Sequence, residues 1–146
     1  MLRAIRRAFA APPEESPSGQ EQVQLAVAVL LHEARRADYA EANRESVAAE
    51  AALVEIFALE RAHAAALLAQ GREKAQQLTS LYAPLAAVKR VFSPEERLRL
   101  VEHLWRVAFA EGGLDPHEDH YVRKVAHLLY VPNTQAMLAR NRARDA

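Results

Sequence analysis

Three carboxylates lie close together in one short polar stretch of the chain, at Glu111, Asp115 and Glu118. Two glycines and a proline separate them, and these residue types favour a tight turn over a continuous helix. Calcium and magnesium bind several oxygens that converge within about 2.0–2.6 Å, and carboxylates on a turn supply such oxygens. The stretch is therefore a candidate site for a divalent cation, with calcium or magnesium favoured over zinc.

The same residues also match the pattern of a helix start. In a capping box, the side chain before the helix accepts a backbone N–H, and a glutamate three residues later accepts the N–H of the capping residue. Asp115, Pro116 and Glu118 stand at the positions that this pattern requires. Two interpretations stay open: helix caps alone, or helix caps that also bind a cation.

Two histidines, His117 and His120, stand next to Glu118 and Asp119, at a spacing that places them on one helix face. They could chelate zinc or nickel if His103 or Glu111 completed the ligand set, and solvated surface histidines are the alternative. The sequence contains no nucleophile elbow and no metal-protease motif. We therefore expect no enzymatic activity.

The elements that position this stretch are predicted to be helices, because apolar residues recur at helical spacing and no strand-like alternation is present. A mostly buried helix contains Val23 and ends near Asp38. Asn43 is the predicted N-cap of the second helix. An alanine-rich third helix contains Gly71, which favours a bend or a break there. The fold class is therefore all-α.

Helix starts are clearer in the second half of the chain. Ser80 is a predicted N-cap with Pro84 in the first turn. Ser93–Glu96 form a complete capping box with proline at the first helical position. Gly112 is predicted to end that helix in the left-handed conformation. Residues 140–146 are polar, so we expect them to fray and their arginines to be solvated.

The acidic stretch has a weaker counterpart in the first half of the chain. Asp38 and Glu45 have the same spacing as Glu111 and Glu118, and one constant offset also aligns large apolar residues in the flanking segments. The pattern indicates two helix–acidic corner–helix units, which we expect to pack about a pseudo-twofold axis. Asp38 and Glu45 are the weaker candidate metal ligands.

Composition limits the possible functions. The chain has 146 residues, no cysteine, and 19 acidic against 19 basic residues, so its formal net charge is zero. This balance gives no basic excess for phosphate binding, and we expect no nucleic-acid partner. The absence of cysteine excludes thiolate chemistry and disulfides, and it favours a cytoplasmic location.

The predicted domain boundary lies near the N-terminus. Residues 1–19 form a basic segment and a Pro/Ser-rich linker, and residues 20–146 form the folded domain. No run approaches the roughly 20 apolar residues that span a bilayer. Residues 1–10 have helical apolar spacing between arginines, so membrane-surface or partner contact is one interpretation and a loosely packed terminal helix is the other.

Several motifs stand in an order that resembles one family. The segments Gln24–Leu31, Phe92–Arg97, Leu104–Ala108 and Gly112–Glu118 are similar to the TerB family of tellurite resistance proteins. The resemblance implies a compact, cytoplasmic domain of about seven helices, linked to the response to tellurite and other stresses. It also implies acidic corners able to hold a divalent cation, and no established enzymatic activity.

Carried over to this chain, the resemblance implies Glu111, Asp115 and Glu118 as ligands in the second corner, and Asp38 and Glu45 in the first. The usual second corner of the family reads Ala-Asp-Gly-x-Leu-Asp-x-x-Glu, so a glutamate replaces the first aspartate here. The first corner lacks its middle acid, which indicates a lost site. Related domains are fused to a J-domain co-chaperone, so we expect a protein partner or a homo-oligomer; a metal-free interaction module is the alternative.

Overall fold

A computed structural model describes residues 18–35, 42–110 and 112–146, except for the side chains of residues 42–45. Within these ranges all regular structure is helical, which confirms the all-α prediction, and the number of helices is seven, as the resemblance implied. In chain order they are α1 (Gly19–Glu33), α2 (Ala42–Phe57), α3 (Arg61–Gln77), α4 (Tyr82–Val91), α5 (Pro94–Ala108), α6 (Pro116–Leu128) and α7 (Asn133–Asp145).

The start of α1 is a capping box that the sequence analysis missed. The Ser18 hydroxyl accepts the Glu21 backbone N–H at 3.0 Å, and the Glu21 carboxylate accepts the Ser18 N–H at 3.1 Å. The helix therefore begins one residue before the predicted boundary at residue 20. It ends at Glu33, earlier than predicted. Asp38 and residues 1–17 lie outside the described residues.

Helix α1 is the centre of the N-terminal half, because it packs against α2, α3, α4 and α5. Its buried side chains include Val27, Leu30 and Leu31, each 0 % exposed. A Cβ placed on Gly71 of α3 would lie 2.7 Å from the Cβ of Ala28. Helix α3 is continuous through Gly71, so a break there is wrong. The glycine instead permits close approach of two helices.

Two predicted helix starts differ slightly from the structure. Helix α2 begins at Ala42, so Asn43 lies inside the helix and is not its N-cap. At α4 the N-cap is Leu81, and the Ser80 hydroxyl, one residue earlier, accepts the Tyr82 N–H at 3.3 Å. Both starts lie within one or two residues of the predicted positions, which is the usual uncertainty of helix ends.

Helix α5 is the centre of the C-terminal half and packs against α2, α6 and α7. Trp105 is 0 % exposed, and its indole N–H donates to the Ala136 carbonyl at 3.1 Å. This hydrogen bond joins α5 to α7. Within the described residues, no helix is long and apolar enough to cross a membrane.

The last helix is more ordered than its polar sequence suggests. Arg142 donates to the Glu102 carboxylate on α5 at 2.8 Å, and Arg140 donates to Asp119 on α6 at 3.2 Å. Ala139 is 0 % exposed. The prediction that residues 140–146 fray is wrong, because ion pairs and small buried side chains hold α7 against two helices. The pseudo-twofold relation stays a prediction.

Candidate functional site

The candidate site is the corner between α5 and α6. Helix α5 ends at Ala108 with Phe109 as its C-cap, so Gly112 does not cap it as predicted. Gly112 has a φ of 102°, which only glycine adopts without strain, and its N–H donates to the Phe109 carbonyl at 2.9 Å. The glycine thus turns the chain toward α6. Glu111 lies outside the described residues.

A complete capping box opens α6, as predicted. The Asp115 carboxylate accepts the His117 N–H at 2.7 Å through Oδ1. The Glu118 carboxylate accepts the Asp115 N–H at 3.2 Å through Oε1. Both side chains therefore satisfy donors that the helix itself leaves unpaired, and both carry negative charge near the positive end of the helix dipole.

Glu118 differs from an ordinary cap because it is buried. It is 6 % exposed, and among the described residues only one other polar or charged residue is buried, His103. Burying a carboxylate is costly unless hydrogen bonds or opposite charges compensate for lost hydration. The cap and the helix dipole provide part of that compensation. The corner therefore holds a carboxylate in an environment less polar than water.

The corner brings together two of the three predicted metal ligands. Asp115 and Glu118 bring two carboxylates onto one turn, and their oxygen chemistry suits calcium or magnesium. Each carboxylate already uses one oxygen in the cap, so a cation would share these groups with the backbone. Among the residues that the structure describes, no three His, Asp or Glu side chains are placed to hold a metal together. The predicted third ligand is Glu111.

Comparison with known families identifies the domain. The family model described as tellurite resistance protein TerB matches residues 24–141. The chain belongs to the TerB family. This result confirms the resemblance and assigns the chain a tellurite-resistance-type accessory domain. Neither the curated proteins nor the solved structures gave a significant match.

The first corner of the TerB domain lies largely outside the described residues. This applies to Asp38 and to the side chain of Glu45, whose backbone is part of α2. The candidate site formed by these two residues therefore stays a prediction.

The structure separates the histidines that the sequence analysis grouped. His117 and His120 of the TerB domain are exposed on α6. His103 is 4 % exposed, and its Nε2 lies 3.4 Å from a carboxylate oxygen of Glu55 on α2. Burial lowers the pKa of His103, and Glu55 opposes this shift. His103 therefore contacts α2 and does not complete a ligand set with the other two.

His32 has a structural role in the TerB domain. Its Nδ1 lies 3.0 Å from Nη1 of Arg35, so the imidazole accepts a hydrogen bond from the guanidinium. Burial, then the charges of Arg35 and Arg72, lower the pKa of His32 to about 4. The ring is therefore uncharged at neutral pH, which suits an acceptor and disfavours an ion pair with Glu33.

Two residues that the sequence did not identify hold α6 in place, Arg97 near its C-terminal end and Tyr121 near its N-terminal end. Arg97 of α5 donates to the backbone carbonyls of Lys89, Phe92 and Leu129, at 3.0, 3.1 and 3.2 Å. It thereby joins the end of α4, the start of α5 and the end of α6. No sequence signal identifies these acceptors, because any residue type has a backbone carbonyl.

The second missed residue is Tyr121, one turn beyond the acidic cap of α6. Its hydroxyl donates to the Leu30 carbonyl on α1 at 2.8 Å. The pKa of Tyr121 is raised well above its usual value, mainly by burial and also by the charge of Glu33. The phenol therefore stays protonated, and it fixes the start of α6 against the central helix α1.

Proposed function

We propose that this TerB-family chain is a non-enzymatic, cytoplasmic accessory domain of a stress response of the tellurite-resistance type, and that Glu111, Asp115 and Glu118 bind a divalent cation. The observation that carries the cation proposal is the burial of Glu118. In the described part of the chain, the glutamates of the two other capping boxes, Glu21 and Glu96, are exposed. A cap requires no burial, whereas a partly desolvated carboxylate attracts a cation more strongly because water screens it less.

Calcium or magnesium fits the proposed ligands better than zinc. Both bind carboxylate and carbonyl oxygens, whereas zinc prefers the nitrogen and sulfur of histidine and cysteine. The corner would supply three carboxylates, and backbone carbonyls and water would complete the shell. With so few protein ligands, the affinity would be modest, and the cation would stabilise the α5–α6 corner.

A non-catalytic role is supported by what the polar groups of the domain already do. His103 contacts Glu55, and His32 accepts a hydrogen bond from Arg35. Glu118 and Asp115 cap α6. Each of these groups stabilises the fold, so none needs a reaction to explain its position. The absence of cysteine supports a cytoplasmic location.

The second candidate function is a metal-free helical interaction module, which could act as a homodimer. The complete capping box favours it, because the cap alone accounts for both Asp115 and Glu118. Several large apolar side chains are also exposed, including Tyr82 at 77 %, Tyr130 at 73 % and Leu138 at 52 %. Such side chains are available to a partner surface. Light scattering after size exclusion would detect a dimer.

The deciding experiment is calorimetric unfolding of the full chain with chelator, calcium, magnesium, manganese or zinc. A ligand at about one hundred times its dissociation constant adds about 2.7 kcal/mol to the free energy of unfolding. We expect calcium or magnesium to raise the melting temperature of the wild type. Glu118→Gln should abolish this increase, and the matched variant Glu96→Gln should retain it.

Two outcomes would favour the metal-free module instead. One is an unchanged melting temperature with every ion, and the other is an increase that Glu118→Gln retains in full. The stability of Glu118→Gln in the presence of chelator measures the contribution of the cap separately from any cation. An increase restricted to zinc, and lost on replacing His117 and His120, would assign the site to the histidines.

A further inference from the structure

A groove lies where α1, the end of α3 and the start of α4 meet. Its volume is about 360 Å³, within the range of about 300–1,000 Å³ that is usual for small-molecule sites. The aliphatic lining comes from Leu25 and Val29 of α1, Leu78 after α3, and Pro84 and Ala87 of α4. Because the apolar lining residues on α4 are small, they leave room between the helices.

Two cations border this apolar groove, Lys74 of α3 and Arg90 of α4, and no acidic side chain lines it. Neither cation makes an ion pair or a side-chain hydrogen bond within the part of the chain that the structure describes. In the C-terminal half, by contrast, Arg106, Arg140 and Arg142 all bond to carboxylates. The groove therefore combines an apolar surface with unneutralised positive charge.

A ligand that matches this groove has an aliphatic chain and one anionic group. We propose that it binds a medium-chain fatty acid, with the carboxylate between Lys74 and Arg90 and the alkyl chain along Leu25, Val29 and Leu78. The two cations attract the carboxylate, and burial of the methylene groups supplies most of the binding free energy.

The size of the groove favours an alkyl chain over a partner helix. The α1 stretch from Gln22 to Val29 that borders it is about 10 Å long at 1.5 Å per residue. A helix with its side chains is about 10–12 Å wide, and specific protein interfaces bury about 1,200–2,000 Å². A groove of two helical turns is too small for such an interface, but it accommodates a single aliphatic chain.

The N-terminal segment of this chain is a poor occupant because of its charge. Arg3, Arg6 and Arg7 lie between its apolar residues. Placing them beside Lys74 and Arg90 would bring like charges together, which is unfavourable. The charge of the groove therefore favours an anionic ligand over this basic segment.

The test is titration calorimetry of the full chain with hexanoate, octanoate and decanoate, all well below micelle-forming concentrations. Each added methylene that is buried should tighten binding by about fourfold. Nonyltrimethylammonium has the same nine-carbon alkyl chain as decanoate with the opposite charge, and it should bind at least tenfold more weakly. Equal affinity for these two ligands would overturn the proposal, because it would show non-specific apolar binding.

Variants locate the site. The double variant Lys74→Glu with Arg90→Glu should weaken decanoate binding on the order of tenfold or more, since charge-assisted contacts are lost. Ala83→Phe should block the groove without disturbing the core, because Ala83 is exposed at its edge. Ala62→Phe, at another exposed alanine that does not line the groove, is the matched control. Unchanged decanoate affinity in both groove variants, or no binding at any chain length, would refute the proposal.

Discussion

Helices α5 and α6 begin with the same motif, but their first turns lie in different environments. At α5 the Ser93 hydroxyl accepts the Glu96 N–H at 3.2 Å, and Glu96 accepts the Ser93 N–H at 2.8 Å. At α6 the Asp115 and Glu118 carboxylates form the equivalent pair. Glu96 is exposed, whereas Glu118 is 6 % exposed. The local motif therefore sets the hydrogen bonds, and the surrounding helices set the electrostatic environment.

The two helix starts also differ in how they are joined to the rest of the domain. Next to the α5 cap, Arg97 donates to three backbone carbonyls on two sides of the helix. One turn beyond the α6 cap, Tyr121 donates to one carbonyl of α1. The exposed cap thus lies beside the larger number of side-chain bonds, of which only the bond to Leu129 reaches a distant part of the chain. Separate substitutions at the two helix starts measure how much each set of bonds contributes to the free energy of unfolding.

The largest effect is expected from Arg97→Ala at the start of α5. A hydrogen bond to a charged group contributes about 1.5–3 kcal/mol, and three are lost together, so unfolding should become easier by about 3 kcal/mol or more. Urea denaturation followed by circular dichroism measures this change. Arg99→Ala, an exposed neighbour, should change stability by less than about 0.5 kcal/mol. If Arg97→Ala and Arg99→Ala changed the free energy of unfolding equally, water would replace the Arg97 guanidinium without loss of stability.

The direct comparison of the two caps is Glu118→Ala against Glu96→Ala, both measured in chelator. Removing Glu118 leaves the Asp115 N–H without its acceptor at a part-buried site, and we expect a cost of about 2 kcal/mol. Removing Glu96 exposes the Ser93 N–H to water, and the cost should stay below about 1 kcal/mol. If urea denaturation gives the same cost for both, burial does not distinguish the caps.

A smaller effect is expected from Tyr121→Phe at the start of α6. The change removes the hydroxyl that donates to the Leu30 carbonyl and leaves the ring in place, so the cost should be about 1 kcal/mol. Tyr82→Phe is the control, because Tyr82 is 77 % exposed and should tolerate the change. Hydrogen exchange should also become faster in α6. Unchanged stability and exchange would show that the bond does not position this helix.

The last effect depends on pH, and it must be removed before the two glutamates are compared in acid. The pKa of His32 is about 4 in the folded domain, below the usual 6.5 of an unfolded chain. Between these values the unfolded chain binds a proton that the folded domain does not, so stability falls as the pH is lowered. His32→Asn should flatten the stability curve from pH 6.5 to 4. A curve of unchanged slope would contradict this assignment.

The fold was largely predictable because its strongest signals are local. The boxes at Ser93–Glu96 and Asp115–Glu118 depend on residues three positions apart, and both are confirmed. Gly71 was misinterpreted because the residue that leaves no room for a side chain there, Ala28, lies on another helix. The box at Ser18 was missed because nearby serine, glycine and proline are typical of a linker. Composition thus outweighed a valid local motif.

The candidate site was predictable only in part. The sequence identified the carboxylates at Asp115 and Glu118, since their types and spacing define the cap. It could not predict the burial of Glu118, which depends on helices distant in the chain. Nor could it predict two distant backbone acceptors. Leu129 lies 32 residues from Arg97, and Leu30 lies 91 residues from Tyr121. Cation binding stays a prediction.

Trp105 gives the domain an internal optical reporter. It is the only tryptophan in the chain, it is 0 % exposed, and its indole N–H donates to the Ala136 carbonyl of α7. The guanidinium of Arg140, also on α7, lies 5.8 Å from the ring centre. Detachment of α7 alone would hydrate the indole and shift its fluorescence emission to longer wavelength. Time-resolved emission therefore follows the undocking of one helix with no added label.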